Sequence, residues 1–145
     1  IPKLLARGTA APALSVERAY LVMPIGDTPA ALYFTAHNRG TTTDSVVAVE
    51  VPGAGAASLH EHQHDQATGN MRMMPAAAYA VPAGGTVRLA PGGAHVMIEK
   101  PSRAYSRGER FRLLVRFAHG GVVTTELSVI TYADLDTATA APVRR

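Results

Sequence analysis

The chain contains no cysteine and no tryptophan, lysine stands only at Lys3 and Lys100, and aromatic residues make up 6% of its 145 positions. The missing thiol removes disulfides, thiolate metal sites, CxxCH haem attachment and cysteine nucleophiles together. It also removes the blue-copper electron-transfer centre, whose trigonal plane needs a cysteine sulfur. A nucleic-acid-binding domain carries a dense Lys/Arg face or basic residues interleaved with aromatics. Here 14 basic side chains stand against 11 acidic ones, for a formal charge of +3 and a pI near 9.6. The arginines are scattered apart from a loose group between Arg103 and Arg116, so no nucleic-acid partner is expected. No apolar run approaches the roughly 20 residues of a membrane-spanning helix, and no membrane span is expected either. The G-x-S-x-G, G-x-G-x-x-G and P-loop signatures are also absent. Ile1 stands where a start methionine would, as either a removed secretory signal or a trimmed chain would leave it.

What is present is an apolar chain cut by turns. Hydrophobic residues make up 47%, with 13 Gly and 10 Pro. Short runs recur between them: "LSVERAYLVM", "ALYFTAHN", "DSVVAVEV", "TVRLA", "RFRLLVRFA" and "VVTTELSVI". Each is rich in Val, Leu, Thr or aromatics and has the length of a strand. "PGAG", "PAGG" and "PGG" between them are turn chemistry, with Pro setting φ and Gly allowing positive φ. Helical periodicity is nearly absent. The length fits one domain, and the spacing predicts an all-β sandwich or barrel of Greek-key, cupredoxin-like type. The β domain is expected over 14–132, after an N-terminal extension, 1–13. The closing "ADLDTATAAPVRR" has no apolar face to bury, so 133–145 is expected to be a loose tail.

One stretch concentrates chemistry: "LHEHQHDQATGNMRMMP", Leu59 to Pro75. In an extended chain His60, His62 and His64 project to one side, at a strand end running into a loop. "PGGAHVMIE" gives His95 and Met97 the same alternation after a turn, so two His/Met patches can face each other across a sheet edge. With no thiolate, a metal must use His, Met, Asp or Glu. Thioether sulfur is a soft donor favouring Cu(I), and imidazole serves Zn, Cu, Fe or Ni, so a mixed His/Met site points to Cu(I), while the crowd of imidazoles would also accept Cu(II). Zinc rarely takes Met. Lacking a cysteine, such a site binds or delivers copper rather than shuttling electrons. Alternation turns Met74 away from Met71 and Met73, which assigns it to the core. His37 reads as a satisfied strand histidine and His119 as a turn residue. Backbone carbonyls, or carboxylates such as Glu61 and Asp65, are the candidates for orienting the imidazoles, and the sequence does not fix which.

The second half of this pattern resembles the PCuAC family, periplasmic copper chaperones that supply the CuA centre of cytochrome oxidase. Their pattern is a His, ten residues, a Met, twenty-one residues, then His-x-Met. Met73, the twenty-one residues from Met74 to Ala94, and "HVM" at His95 to Met97 match it. A weaker likeness runs from Leu14 to Thr131. Twelve residues rather than ten separate His60 from Met73, which a two-residue insertion in the loop "DQATGN" explains. His62, at a spacing of ten, is a rival or supplementary ligand. The resemblance implies a cupredoxin-like barrel holding one exposed Cu(I) with His60, Met73, His95 and Met97. It further implies delivery to the CuA-bearing oxidase subunit or a partner chaperone, a periplasmic or otherwise extracytoplasmic location, and no catalysis. His62, His64 and Met71 are then extra donors, for Cu(II) or for transfer intermediates.

Two other readings use the same residues. "HEHQH" at His60 to His64 satisfies H-E-x-x-H, the zinc-peptidase signature, with Glu61 as general base. That chemistry needs both outer histidines on one helical face, and the segment has no amphipathic stripe to dock a helix. It also leaves Met73, His95 and Met97 unused. A protein that buffers periplasmic copper without a dedicated acceptor would share every residue with the chaperone.

Overall fold

A computed structural model describes residues 13–24, 29–64, 67–69, 71–91, 93–99 and 105–134. Ten strands occur among them: β1 (Leu14–Val22), β2 (Ala30–Asn38), β3 (Asp44–Glu50), β4 (Ala56–His64), β5 (Met71–Pro75), β6 (Tyr79–Val81), β7 (Thr86–Arg88), β8 (His95–Glu99), β9 (Arg110–Phe117) and β10 (Gly121–Ile130). The six apolar runs of the sequence each form a strand. The histidine stretch is extended through His64, a full strand rather than only a strand end.

All strands belong to one sheet in the order β5-β4-β8-β2-β1-β10-β9-β3-β6, with β7 paired to β2 off this path. Neighbours are antiparallel except β10 and β1, which run parallel. The sheet curls until β3, near one end, packs against β4, near the other. This is the all-β, cupredoxin-like architecture that the turn spacing predicts.

Side-chain alternation builds the core. On β9, Phe111, Leu113, Val115 and Phe117 are buried while Arg110, Arg112 and Arg116 are exposed, the period-2 pattern of a sheet with one dry face. Leu32, Phe34 and Ala36 of β2 and Val96 and Ile98 of β8 fill the same interior. Burial of each such side chain contributes on the order of 1.5–3 kcal/mol.

β1 needs a correction to its alternation to keep facing that core. Glu17 pairs with Thr35, but Tyr20 pairs with Tyr33, so one extra residue enters β1. The bulge switches the buried positions from Leu14 and Val16 to Ala19 and Leu21. Arg18 absorbs it with φ of 55°, the one non-glycine residue at positive φ among the described residues.

Two polar devices close the barrel. Buried Asp44, at the start of β3, accepts backbone N–H bonds from Ser45 (2.8 Å), His119 (2.9 Å) and Gly120 (2.8 Å), pinning the β9–β10 turn. Buried Tyr79, on the strand at one end of the sheet path, reaches β4 and β8 at the other end through its hydroxyl. At the C-terminal side Tyr132 to Asp134 form a helical turn, and the Asp134 carboxylate accepts two bonds from Arg107 at 2.8 and 2.9 Å. Of the expected N-terminal extension and C-terminal tail, 1–12 and 135–145 lie outside the described residues.

Candidate metal centre

β4 carries the centre of the site, with β8 on one side and β5 on the other. Ser58, His60 and His62 alternate onto one face of β4. Register then selects their neighbours. His60 stands opposite His95 and Ser58 opposite Met97 on β8; His62 stands opposite Met73 and His64 opposite Met71 on β5. The intervening Leu59, Val96 and Ile98 point into the core, so the His/Met face is the outside of the barrel. The pairing therefore puts His60, His62, Met73, His95 and Met97 on one face of three adjacent strands, at the end of the sheet.

His95 is the buried anchor, at 8% exposure. Its Nδ1 lies 3.0 Å from the Gly93 carbonyl. A carbonyl only accepts, so Nδ1 carries the proton and Nε2 keeps a lone pair. That Nε2 lies 3.2 Å from Met73 Sδ. The His60 ring stacks on His95 at 6.0 Å between centroids and 19° between planes, and His62 meets it edge-on at 5.5 Å and 68°. Tyr33 covers the far side at 6.4 Å. Burial pushes the His95 pKa down, the neighbouring His62 and His60 push it the same way, and the Gly93 bond opposes them. The ring is thus neutral at neutral pH, the form that can coordinate. Met73 is the opposite case, a residue 48% exposed.

His60 is held differently. Its Nε2 lies 2.9 Å from Ser58 Oγ, which donates to Glu99 Oε2 at 3.2 Å. Its Nδ1 is buried with no hydrogen-bond partner among the described residues. An orphaned buried nitrogen on a ring stacked against a second imidazole fits a metal ligand. Met97 sits one pleat along β8 from His95, opposite Ser58 and Ala31, and is partly buried.

Tyr79 fixes the register at the point where the two histidines meet. Its hydroxyl accepts from the His60 backbone N–H at 3.0 Å and has the carbonyls of His60 and His95, each at 2.7 Å, as acceptors for its proton. Burial, with the Glu61 charge adding to it, pushes the phenol up to about 12 against the opposing backbone bonds. It stays protonated at any physiological pH.

Several sequence expectations are met and some are corrected. His37 is satisfied within its strand, by Thr86 at 3.0 Å and Glu17 at 2.7 Å, and His119 is a turn residue. The H-E-x-x-H segment is a strand, not a helix. Four strand residues span about 13 Å, too far for His60 and His64 to share one zinc ion. Among the described residues no group of three or more His, Asp or Glu is arranged to hold a metal ion. Met74 is not in the core: it pairs with exposed Glu61 and is only partly buried, because β5 is the edge strand and lies beyond the core's reach. Glu61 points away from the imidazoles and orients none of them; Asp65 lies outside the described residues. Ser58, backed by Glu99, and the Gly93 carbonyl orient them instead. Ser58 and Glu99 were findable by alternation, since S-x-H-x-H and H-x-M-x-E place each on the ligand face.

A family model described as LpqE-like, a lipoprotein family, matches residues 14–129. Lxx21020 of Leifsonia xyli subsp. xyli (strain CTCB07), named as a lipoprotein, is 28% identical over 113 residues, 78% of this chain and 67% of its own. The apo PCuAC domain of PmoF1 superposes with a TM-score of 0.70 at 27% identity, over 85% of this chain and 98% of that domain. The copper-bound PCuAC domain of PmoF2 gives 0.66 at 24% identity, over 85% and 97%. The solution structure of CuI-DR1885 from Deinococcus radiodurans gives 0.59 at 24% identity, over 82% and 77%. The fold is that of PCuAC domains, as the Met73 to Met97 spacing implied.

Proposed function

The chain belongs to the LpqE-like family, a PCuAC-type family of lipoproteins, and from that membership we propose that it is an extracytoplasmic copper chaperone. The observation that carries the proposal is the 3.2 Å approach of the sulfur of Met73, an exposed residue, to the lone-pair nitrogen of buried His95. A soft thioether and an imidazole side by side, with no carboxylate between them, are a Cu(I) donor set. His60 and Met97 complete it, with His62 as a supplementary donor opposite Met73. Two proteins of the same fold point the same way: the PCuAC domain of PmoF2 is copper-bound and DR1885 carries Cu(I).

Half-exposure of the site suits delivery. A buried four-coordinate cage would have to open before release, whereas a thioether on an edge strand can leave first and let an acceptor's ligand take its place. The acceptor proposed is the CuA centre of cytochrome c oxidase, directly or through a second chaperone. The lipoprotein naming of the family and of Lxx21020 supports a location outside the cytoplasm. No helix of the described residues is long and apolar enough to cross a membrane.

Anaerobic mixing of the Cu(I)-loaded protein with the soluble CuA-bearing domain, followed by separation and copper counting, tests delivery. Copper moving to the domain faster than from a small-molecule Cu(I) complex of equal affinity is the expected result. Transfer no faster than that reduces the protein to a copper buffer.

A further inference from the structure

Ser58 and Glu99 lie on the ligand face but neither is a Cu(I) donor by chemistry. The Ser58 hydroxyl has one proton and gives it to Glu99 Oε2, a carboxylate that can only accept. Its oxygen is then left as an acceptor, 2.9 Å from His60 Nε2. In a neutral ring Nε2 must carry the proton, and Nδ1 is left with the lone pair. Nδ1 is the atom found buried and without a partner. His95 is arranged the other way round, with Nδ1–H on the Gly93 carbonyl and Nε2 toward Met73.

We propose that Ser58 and Glu99 are a positioning pair that holds His60 in its Nε2–H tautomer, so that His60 offers Nδ1 to copper while His95 offers Nε2. The proposal rests on the copper reading above. Metal-bound histidines commonly donate their other N–H to a carboxylate or carbonyl, which fixes the tautomer and raises ligand basicity. Here the serine hydroxyl relays that contact from Glu99 on β8 across to β4. The pair also joins the two strands beside Met97, which stands opposite Ser58. One chain thus presents two imidazoles through different nitrogens, each selected by a separate acceptor.

Long-range 1H–15N spectra of the imidazole nitrogens, recorded on the metal-free and Cu(I)-loaded protein, test this. The metal-free spectrum is expected to show His60 protonated at Nε2 and His95 at Nδ1. Cu(I) should then shift His60 Nδ1 and His95 Nε2. Ser58→Ala should weaken Cu(I) binding by about ten- to a hundredfold and broaden or mix the His60 tautomers, and Ser58→Thr, which keeps the hydroxyl, should restore both. His60 protonated at Nδ1 in the metal-free protein, a copper shift at His60 Nε2, or an unchanged affinity and spectrum in Ser58→Ala would each overturn the proposal. A wild type that takes no copper would overturn the chaperone reading, while the metal-free tautomer still decides the role of the pair.

Discussion

The sulfur of Met73 reaches Nε2 of His95 at 3.2 Å although their strands are not neighbours: β4 lies between them. Strands two apart are separated by roughly 10 Å, so the two side chains meet over the outer face of β4, the face that carries His60 and His62. The contact exists only because two registers agree, β5 on β4 and β4 on β8. A one-residue slip of β5 would turn Met73 to the other side of the sheet.

His60 and His62 are ranked by their surroundings. His60 has an orphaned buried nitrogen and a fixed partner on the other; His62 has an edge-on ring contact to His95. His60→Ala is expected to lower Cu(I) affinity on the order of a hundredfold, about 2.7 kcal/mol, and His62→Ala by no more than about tenfold. Anaerobic chelator competition measures both, and the reverse ranking would make His62 the primary ligand.

Tyr79→Phe removes the hydroxyl that joins His60 to His95 across the barrel seam. It leaves the part-buried His60 N–H and one carbonyl unpaired, a loss of about 1–3 kcal/mol. Urea denaturation of the metal-free protein reads the change. Cu(I) affinity should fall as well, because the register of β4 against β8 loosens where the ligands sit.

At the β1 bulge, Arg18 holds φ of 55° with an exposed side chain. A side-chain-bearing residue there is strained by on the order of 1 kcal/mol, which glycine avoids. Arg18→Gly should therefore leave stability unchanged or raise it by up to that amount. A marked loss in chemical denaturation would mean that the arginine side chain, not the backbone, holds the bulge.

Asp44 gives the fold an acid limit. Burial raises its carboxyl pKa, but the three backbone N–H bonds from Ser45, His119 and Gly120 outweigh that and hold it below the ordinary 3.8. The unfolded chain then binds the proton first on acidification. Its contribution is fully present above about pH 3.8 and is lost as pH falls through the lower folded value. Asp44→Asn should cost about 1.5–3 kcal/mol at neutral pH, with the gap to wild type closing below pH 4 or so. Denaturation at a series of pH values checks it, and a gap that stays constant into acid would contradict it.

The strands were readable in the sequence because each apolar run alternates or is β-branched between Gly and Pro turns, and "RFRLLVRFA" became β9 with the alternation intact. Three-residue β6 escaped because "YAV" has no periodicity to read, and with it went Tyr79, whose hydroxyl works across the barrel. The shared face of His60 and His62, and that of His95 and Met97, is readable from period 2. The choice between His60 and His62 was not, because it depends on which strand pairs with which, and β4 finds β8 more than thirty residues away in sequence. Met74 was misplaced for the same reason: alternation gives its face, but only the sheet order shows that β5 is an edge. Glu61 is the nearest carboxylate in sequence, yet neighbours along a strand point apart, and Glu99 on the adjacent strand points in.

The most direct test is an anaerobic Cu(I) titration against a chromophoric chelator, on the wild type and on Met73→Ala, His95→Ala and Met97→Ala. Tight one-to-one binding in the wild type, lost or weakened by on the order of a hundredfold in each variant, is the expected result. Weak binding, or binding indifferent to all three substitutions, would contradict a His/Met copper site and with it the chaperone function.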